Sequence, residues 1–126
     1  MAARFRQAQF GVAPASWKLA ATVEEPTLTL GDLQRLIRDT YGAKDARRGV
    51  EGTFMWFTEE VGELATALRN GSNAERAAEF ADVLAWLVTL ANNVGVDLDK
   101  AITAKYGGGC PGCGEVPCSC NHAEKP

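Results

Sequence analysis

The sequence predicts an all-α domain of about four helices followed by a cysteine-rich tail, and three observations carry that prediction. Apolar residues recur at spacings of three and four through most of 29–106, no segment there reads convincingly as a strand, and N-capping residues and glycines fall where helices should start and stop. All four cysteines lie together after the last of these segments, between Cys110 and Cys120. A chain of 126 residues, 46% hydrophobic and 23% charged, is long and apolar enough to build one globular domain with a core.

Residues 1–26 hold no sustained period and end at Pro26, so they are expected to form a poorly ordered N-terminal extension, with the domain occupying 27–106 and the tail 107–126. The extension has no secretory apolar run, which makes a cytoplasmic location the expectation. Residues 1–23 nevertheless lack acids and carry Arg4, Arg6 and Lys18, a composition shared with organellar transit peptides. The first helix should open with Thr29 as N-cap, align Leu30, Leu33, Leu36 and Ile37 on one face, and stop after Tyr41 at Gly42. Residues 43–52, with Lys44, Asp45, Arg47 and Arg48 beside two glycines, read as an exposed connection.

A second helix is expected over 53–69, where Phe54, Phe57, Val61, Leu64 and Leu68 make a single apolar stripe, and Gly71 ends it. Ser72 and Glu75 then form a capping box that opens a third helix over 73–93. Its Phe80, Val83, Leu84, Trp86, Leu87, Val88 and Leu90 leave few polar positions, which predicts a central helix covered on most sides. Gly95 breaks it, and Asp97 starts a short fourth helix through Leu98, Ala101, Ile102 and Tyr106 before Gly107, Gly108 and Gly109 release the chain.

Thirteen Lys and Arg against sixteen Asp and Glu give a net charge of −3, so the chain exerts no general attraction on duplex nucleic acid. The longest stretch without a charge is fourteen residues, 83–96, short of the roughly 20 apolar residues that span a membrane.

The chemistry concentrates in acids. Glu59, Glu60 and Glu63 lie on the second helix, and Glu79 and Asp82 on the third, with fifteen residues between Glu63 and Glu79. Residues three apart sit about 60° from one another around a helix, so Glu60 with Glu63, and Glu79 with Asp82, each form a paired oxygen edge. Antiparallel packing across the short connection near Gly71 would bring both edges to one space, where like charges need compensation by a hard, oxygen-preferring cation. Mg²⁺ fits best, because it takes a few carboxylates and fills its remaining positions with water and substrate phosphates. Roughly two acid pairs at this spacing are expected by chance in such a composition, so a lone ExxE would read as a solvated face. Two pairs on successive helices, one beside Phe80, Val83 and Trp86, favour the metal site.

The segments Glu59-Glu60-Val61-Gly62-Glu63-Leu64 and Glu79-Phe80-Ala81-Asp82-Val83 resemble the EExxE and ExxD motifs of MazG-type nucleoside triphosphate pyrophosphohydrolases, and Lys105-Tyr106 is similar to the Lys-aromatic pair that follows the third core helix in that family. The resemblance covers about 29–106. It implies an all-α fold, an oligomer such as a dimer or tetramer whose neighbouring subunits complete the site, and hydrolysis of an NTP or dNTP to nucleoside monophosphate and pyrophosphate in nucleotide-pool cleaning or regulation. It further implies Glu60, Glu63, Glu79 and Asp82 as metal ligands, Glu59 as the group that orients or deprotonates the attacking water, and Lys105 as a phosphate contact. Where many relatives carry an Arg three residues after the aromatic, this chain has Gly109, and Arg47 or Arg48 are the candidates to replace it. Trp56 and Asn93 are candidate base contacts, by stacking and hydrogen bonding, with packing and a helix C-terminal role as the alternatives.

In the tail, Cys110-Pro111-Gly112-Cys113 and Cys118-Ser119-Cys120 give CxxC, four spacers and CxC, a set that can close around one tetrahedral Zn²⁺. His122 is a possible substitute for Cys118 or Cys120, and a free tail or a redox dithiol are the alternatives. The tail is similar to a zinc-knuckle-like extension on some MazG-like proteins. The competing function is a non-catalytic helical binding or regulatory module whose tail contacts a partner.

Overall fold

A computed structural model describes residues 27–121, so the N-terminal extension, its transit-peptide reading and His122 lie outside the described residues. Three helices follow one another, α1 (Leu30–Asn70), α2 (Asn73–Val94) and α3 (Leu98–Tyr106), with no strand among the described residues. None of these helices is long and apolar enough to cross a membrane.

Thr29 caps α1 reciprocally: its Oγ1 accepts from the Asp32 amide at 3.1 Å, and its own amide donates to the Asp32 carboxylate at 3.0 Å. The helix does not stop at Gly42, and 43–52 is not an open connection. A glycine inside a helix costs only about 1 kcal/mol, whereas a sharp change of direction needs a backbone that other residues avoid. That conformation occurs at Gly49, with φ 75° and ψ 176°. The four expected helical segments are therefore present, but the first two are limbs of α1 joined through a single residue.

The break folds the limbs back toward each other. In a straight helix Gln34 and Thr53 would stand about 28 Å apart, yet they bond to adjacent residues of α2. Gln34 Nε2 donates to Asn92 Oδ1 at 3.2 Å, and Asn93 Nδ2 donates to Thr53 Oγ1 at 3.3 Å. Gln34 also gathers the start of α3, donating to the Val96 carbonyl at 2.9 Å and accepting from the Leu98 amide at 2.8 Å. Because Gln34 is buried, each of these polar pairings replaces water that folding has removed.

The second limb of α1 and α2 form an antiparallel hairpin across Gly71 and Ser72, with the Ser72–Glu75 capping box at its turn. Among the described residues the core is thin, comprising Ile37, Ala67, Trp86, Val88 and Ala91 together with buried Gln34, Asp45, Thr53, Glu60 and Thr89. The expectation of a central, well-covered helix is corrected here. Phe80, Leu84 and Leu87 of α2 are 55%, 41% and 44% exposed, and Phe54, Val61 and Leu68 of α1 are similarly open. Their spacings put each set on one helical face, so both helices keep an uncovered apolar stripe.

Candidate active site

Two helical stripes meet across the hairpin. On α1 the stripe is Trp56, Glu60 and Glu63, and on α2 it is Glu79, Asp82 and Trp86. The spacings are mirror images, four then three against three then four, so an antiparallel pairing sets tryptophan opposite tryptophan and acid opposite acid. Trp56 and Trp86 stack at 5.9 Å between centroids and 11° between planes. Next to them, ligand oxygens of Glu60, Glu79 and Asp82 all lie within 4.8 Å of one another.

This trio carries the marks of uncompensated charge. Glu60 is 8% exposed, and burial, followed by Glu63, Asp82 and Glu79, raises its carboxyl from 4.5 to about 7. Burial and then Glu63 raise Glu79 and Asp82 as well. Among the described residues, no cation joins the groups that shift these three acids. Glu60 Oε2 and Glu79 Oε2 are buried without a hydrogen-bond partner. Orphaned buried oxygens on converging acids are a donor set suited to a hard divalent cation.

Glu63 lies outside the trio but acts electrostatically on all three members. It lines a cleft of about 390 Å³ that reaches the hairpin turn past Thr66, Asn70, Glu75 and Glu79, a volume in the range of small-molecule sites. Glu59 is exposed on α1. Lys105 stands exposed on α3, its Nζ 5.6 Å from the Tyr106 ring, and α3 packs against the start of α1. Asn93 is eleven residues beyond Asp82, about 16 Å along the helix, and its amide donates to Thr53. Trp56 is half-buried against Trp86.

Sequence reasoning treated Trp86 as core alone. In the structure it also stacks on Trp56 beside the acid trio, and the Arg48 guanidinium lies 4.8 Å from its ring centroid. Arg48 is held in turn by Asp45 at 2.8 Å, and Asp45 is buried rather than part of a solvated positive knot. The mirrored Trp-acid-acid spacing about Gly71 was the available signal for Trp86.

In the tail, the four cysteine sulfurs also lie within 4.8 Å of one another. Cys110 with Cys120 and Cys113 with Cys118 are 3.9 Å apart. That is far beyond a disulfide, about 2.05 Å, and near the roughly 3.8 Å edge of a tetrahedron built from 2.3 Å metal–sulfur bonds. Backbone amides of Gly112, Ser119 and Cys120 donate to Cys110, Cys113 and Cys118 at 3.4, 3.5 and 3.4 Å. The amides of Ser119 and Glu115 bring the Cys113 thiol down to about 6, favouring the ligating thiolate. Gly114, at φ 74°, closes the turn by donating to the Cys110 carbonyl at 2.6 Å. The cluster is compatible with a bound metal ion.

No individual curated protein is significantly similar to the chain. Residues 48–113 match the MazG nucleotide pyrophosphohydrolase domain, a span that starts beside the Gly49 break, contains Glu59, Glu60, Glu63, Glu79 and Asp82 and ends at the second tail cysteine. The match covers just over half of the chain, which belongs to the MazG nucleotide pyrophosphohydrolase domain family.

Proposed function

We propose that the protein hydrolyses nucleoside triphosphates, with ribose or deoxyribose, to the monophosphate and pyrophosphate, and that this reaction depends on Mg²⁺ held by Glu60, Glu63, Glu79 and Asp82. The observation that carries the proposal is the convergence of Glu60, Glu79 and Asp82 from two helices with two buried, unpartnered oxygens, in a chain of this family. The cleft beside them is lined by Glu63, Glu75 and Glu79 and, among the described residues, by no Lys or Arg, so a polyphosphate would be repelled unless cations come with it. Mg²⁺ bound there would neutralise phosphate charge and lower the pKa of a coordinated water.

Within that frame, Glu60 and Glu79 carry buried bare oxygens while Glu63 lines the cleft. Glu59 is the proposed group that orients the attacking water and receives its proton. A bond forms from water oxygen to the α-phosphorus, the bond from that phosphorus to the bridging oxygen breaks, and pyrophosphate leaves with the electron pair. Lys105 is proposed as a phosphate contact and Trp56 as a stacking surface for the base. Asn93, whose Nδ2 donates one hydrogen bond to Thr53, remains the proposed hydrogen-bonding contact for the base.

The uncovered stripes Phe54-Val61-Leu68 and Phe80-Leu84-Leu87 support assembly into a homo-oligomer, a dimer or tetramer. Sulfur spacing and amide donors support Zn²⁺ as the tail metal, and four reduced thiols suit a cytoplasmic setting. Nucleotide-pool cleaning or regulation is the role these properties fit.

Anion-exchange analysis of products from a panel of NTPs and dNTPs, with Mg²⁺ and with EDTA, tests the proposal. Metal-dependent monophosphate and pyrophosphate, lost in Asp82→Asn, is expected. Diphosphate and orthophosphate, or no turnover by folded protein across the panel, would overturn it.

A further inference from the structure

We propose that Arg48, fixed by Asp45, is a positioning residue for the nucleobase: its guanidinium anchors Trp86, and through it the parallel Trp56, as the surface on which the base stacks. The inference rests on the reading of the acids as a nucleotide site with Trp56 beside it. The order of residues along the hairpin sets the direction of the substrate. From the turn outward, α1 carries Glu63, Glu60, Trp56 and Thr53, and α2 carries Glu79, Asp82, Trp86 and Asn93. The acids meet first, the tryptophans next, and beyond them the Asn93 amide meets Thr53 at 3.3 Å. A triphosphate held at the acids, with its pyrophosphate end in the cleft toward Gly71, therefore lays its nucleoside on the tryptophan side.

The two indoles are nearly parallel at 11°, yet their centroids are 5.9 Å apart. They form an offset stack, in which neither ring covers the other completely. Trp86 is 5% exposed whereas Trp56 is half-buried, so the open part of the pair belongs to Trp56. Trp86 is the fixed half. The Arg48 guanidinium lies 4.8 Å from its ring centroid, and Arg48 Nη1 donates to Asp45 Oδ1 at 2.8 Å. Asp45 is buried and its Oδ2 has no hydrogen-bond partner, so Arg48 carries the compensation of that charge among the described residues. Arg48 ends the first limb of α1, and Gly49, at φ 75°, turns the chain directly after it. The break that folds the limbs together thus also brings a cation onto an indole of α2. Arg48 is not among the residues that line the cleft beside the acids, which separates it from the phosphates. A cation over an indole face is attracted by the ring quadrupole, strongly enough to favour the held ring about fivefold.

A merely structural Arg48 would lower stability and leave the preference for a nucleotide over bare phosphates unchanged. Arg48→Met keeps the aliphatic stem and removes the charge. Isothermal titration calorimetry in Mg²⁺ measures binding of the α,β-methylene analogues of ATP, GTP, CTP and UTP and of their 2′-deoxy counterparts. Inorganic tripolyphosphate, which has the phosphates and no base, is the reference ligand. The parent, Arg48→Met and Trp56→Leu are compared, with circular dichroism as the check on folding. The parent should bind at least one analogue more tightly than tripolyphosphate. Both variants should weaken that analogue, Arg48→Met by about fivefold, with tripolyphosphate unchanged. Equal loss for both ligands in Arg48→Met would make Arg48 a phosphate contact, and no loss for either would leave it a packing residue; each overturns the inference with the nucleotide site standing. A parent that binds no analogue more tightly than tripolyphosphate, or an analogue bound equally by the parent and Trp56→Leu, would overturn the stacking surface. A parent that binds neither kind of ligand would overturn the nucleotide site itself. Removing one partner of a buried ion pair destabilises far more than removing both, so should Arg48→Met fail to fold, Asp45→Asn combined with Arg48→Met supplies the same comparison. Selective loss of the analogue there supports the inference, and an unchanged ratio of the two affinities refutes it.

Discussion

Replacing Glu60 by Gln should stabilise the metal-free protein while abolishing its response to Mg²⁺. A carboxyl whose pKa moves from 4.5 to about 7 on folding keeps its proton in the native state after the unfolded chain has released it. Stability therefore falls as pH rises from about 4.5 to about 7 and levels off above, for this group. Burial and neighbouring acids push Glu79 and Asp82 in the same direction and add to the slope. At about 1.4 kcal/mol per pH unit the Glu60 contribution comes to about 3.5 kcal/mol, and water at the open side of the cluster reduces it to about 2 kcal/mol. Gln keeps the volume of the side chain but carries no charge. Urea unfolding in EDTA at fixed protein concentration, between pH 5 and pH 8, should show a declining parent curve. Glu60→Gln should give a flatter one, about 2 kcal/mol higher at pH 8, and millimolar Mg²⁺ should raise the parent and leave the variant unmoved. A parent whose stability holds or rises over that interval, or a Glu60→Gln protein less stable than the parent in EDTA at pH 8, would refute the reasoning.

Three other outcomes follow from the geometry. Gly49→Ala forces a side chain into a backbone region essentially reserved for glycine and should cost about 1–3 kcal/mol in urea unfolding, whereas Gly42→Ala, in regular helix, should be neutral or mildly stabilising. Leu84→Glu places a charge in the uncovered stripe of α2 and should shift sedimentation velocity toward the monomer with helical content kept; an unchanged oligomer would remove that stripe from the interface. Cys113→Ser should release the tail metal, so that one Zn²⁺ per chain titrated with a chromogenic chelator in the parent falls to none, while the far-ultraviolet signal of the three helices persists.

Much of the site was legible because helical periodicity is a one-dimensional signal. Glu60, Glu63, Glu79 and Asp82 sit at spacings that share a face, and the short turn at Gly71 and Ser72 leaves antiparallel packing as the simple way to join them. The helix boundary was not legible in the same way. Gly42, Gly49 and Gly52 each qualify as a stop, and the choice is made by contacts distant in sequence: Gln34 with Asn92, Arg48 with Trp86, Thr53 with Asn93. Apolar pattern likewise says that Phe80, Leu84 and Leu87 avoid water, but not which chain covers them, so burial within one chain was over-read. Trp86 was hidden for a related reason, since the pattern that marks a buried ring is silent about the ring and the guanidinium it meets.

The most direct test of the central claim is hydrolysis of the best substrate in water enriched in ¹⁸O, with mass analysis of both products. Attack at the α-phosphorus predicts one heavy oxygen in the nucleoside monophosphate and none in pyrophosphate, in the presence of Mg²⁺ and not of EDTA. Label in the pyrophosphate would place the attack on the β-phosphorus and contradict the account.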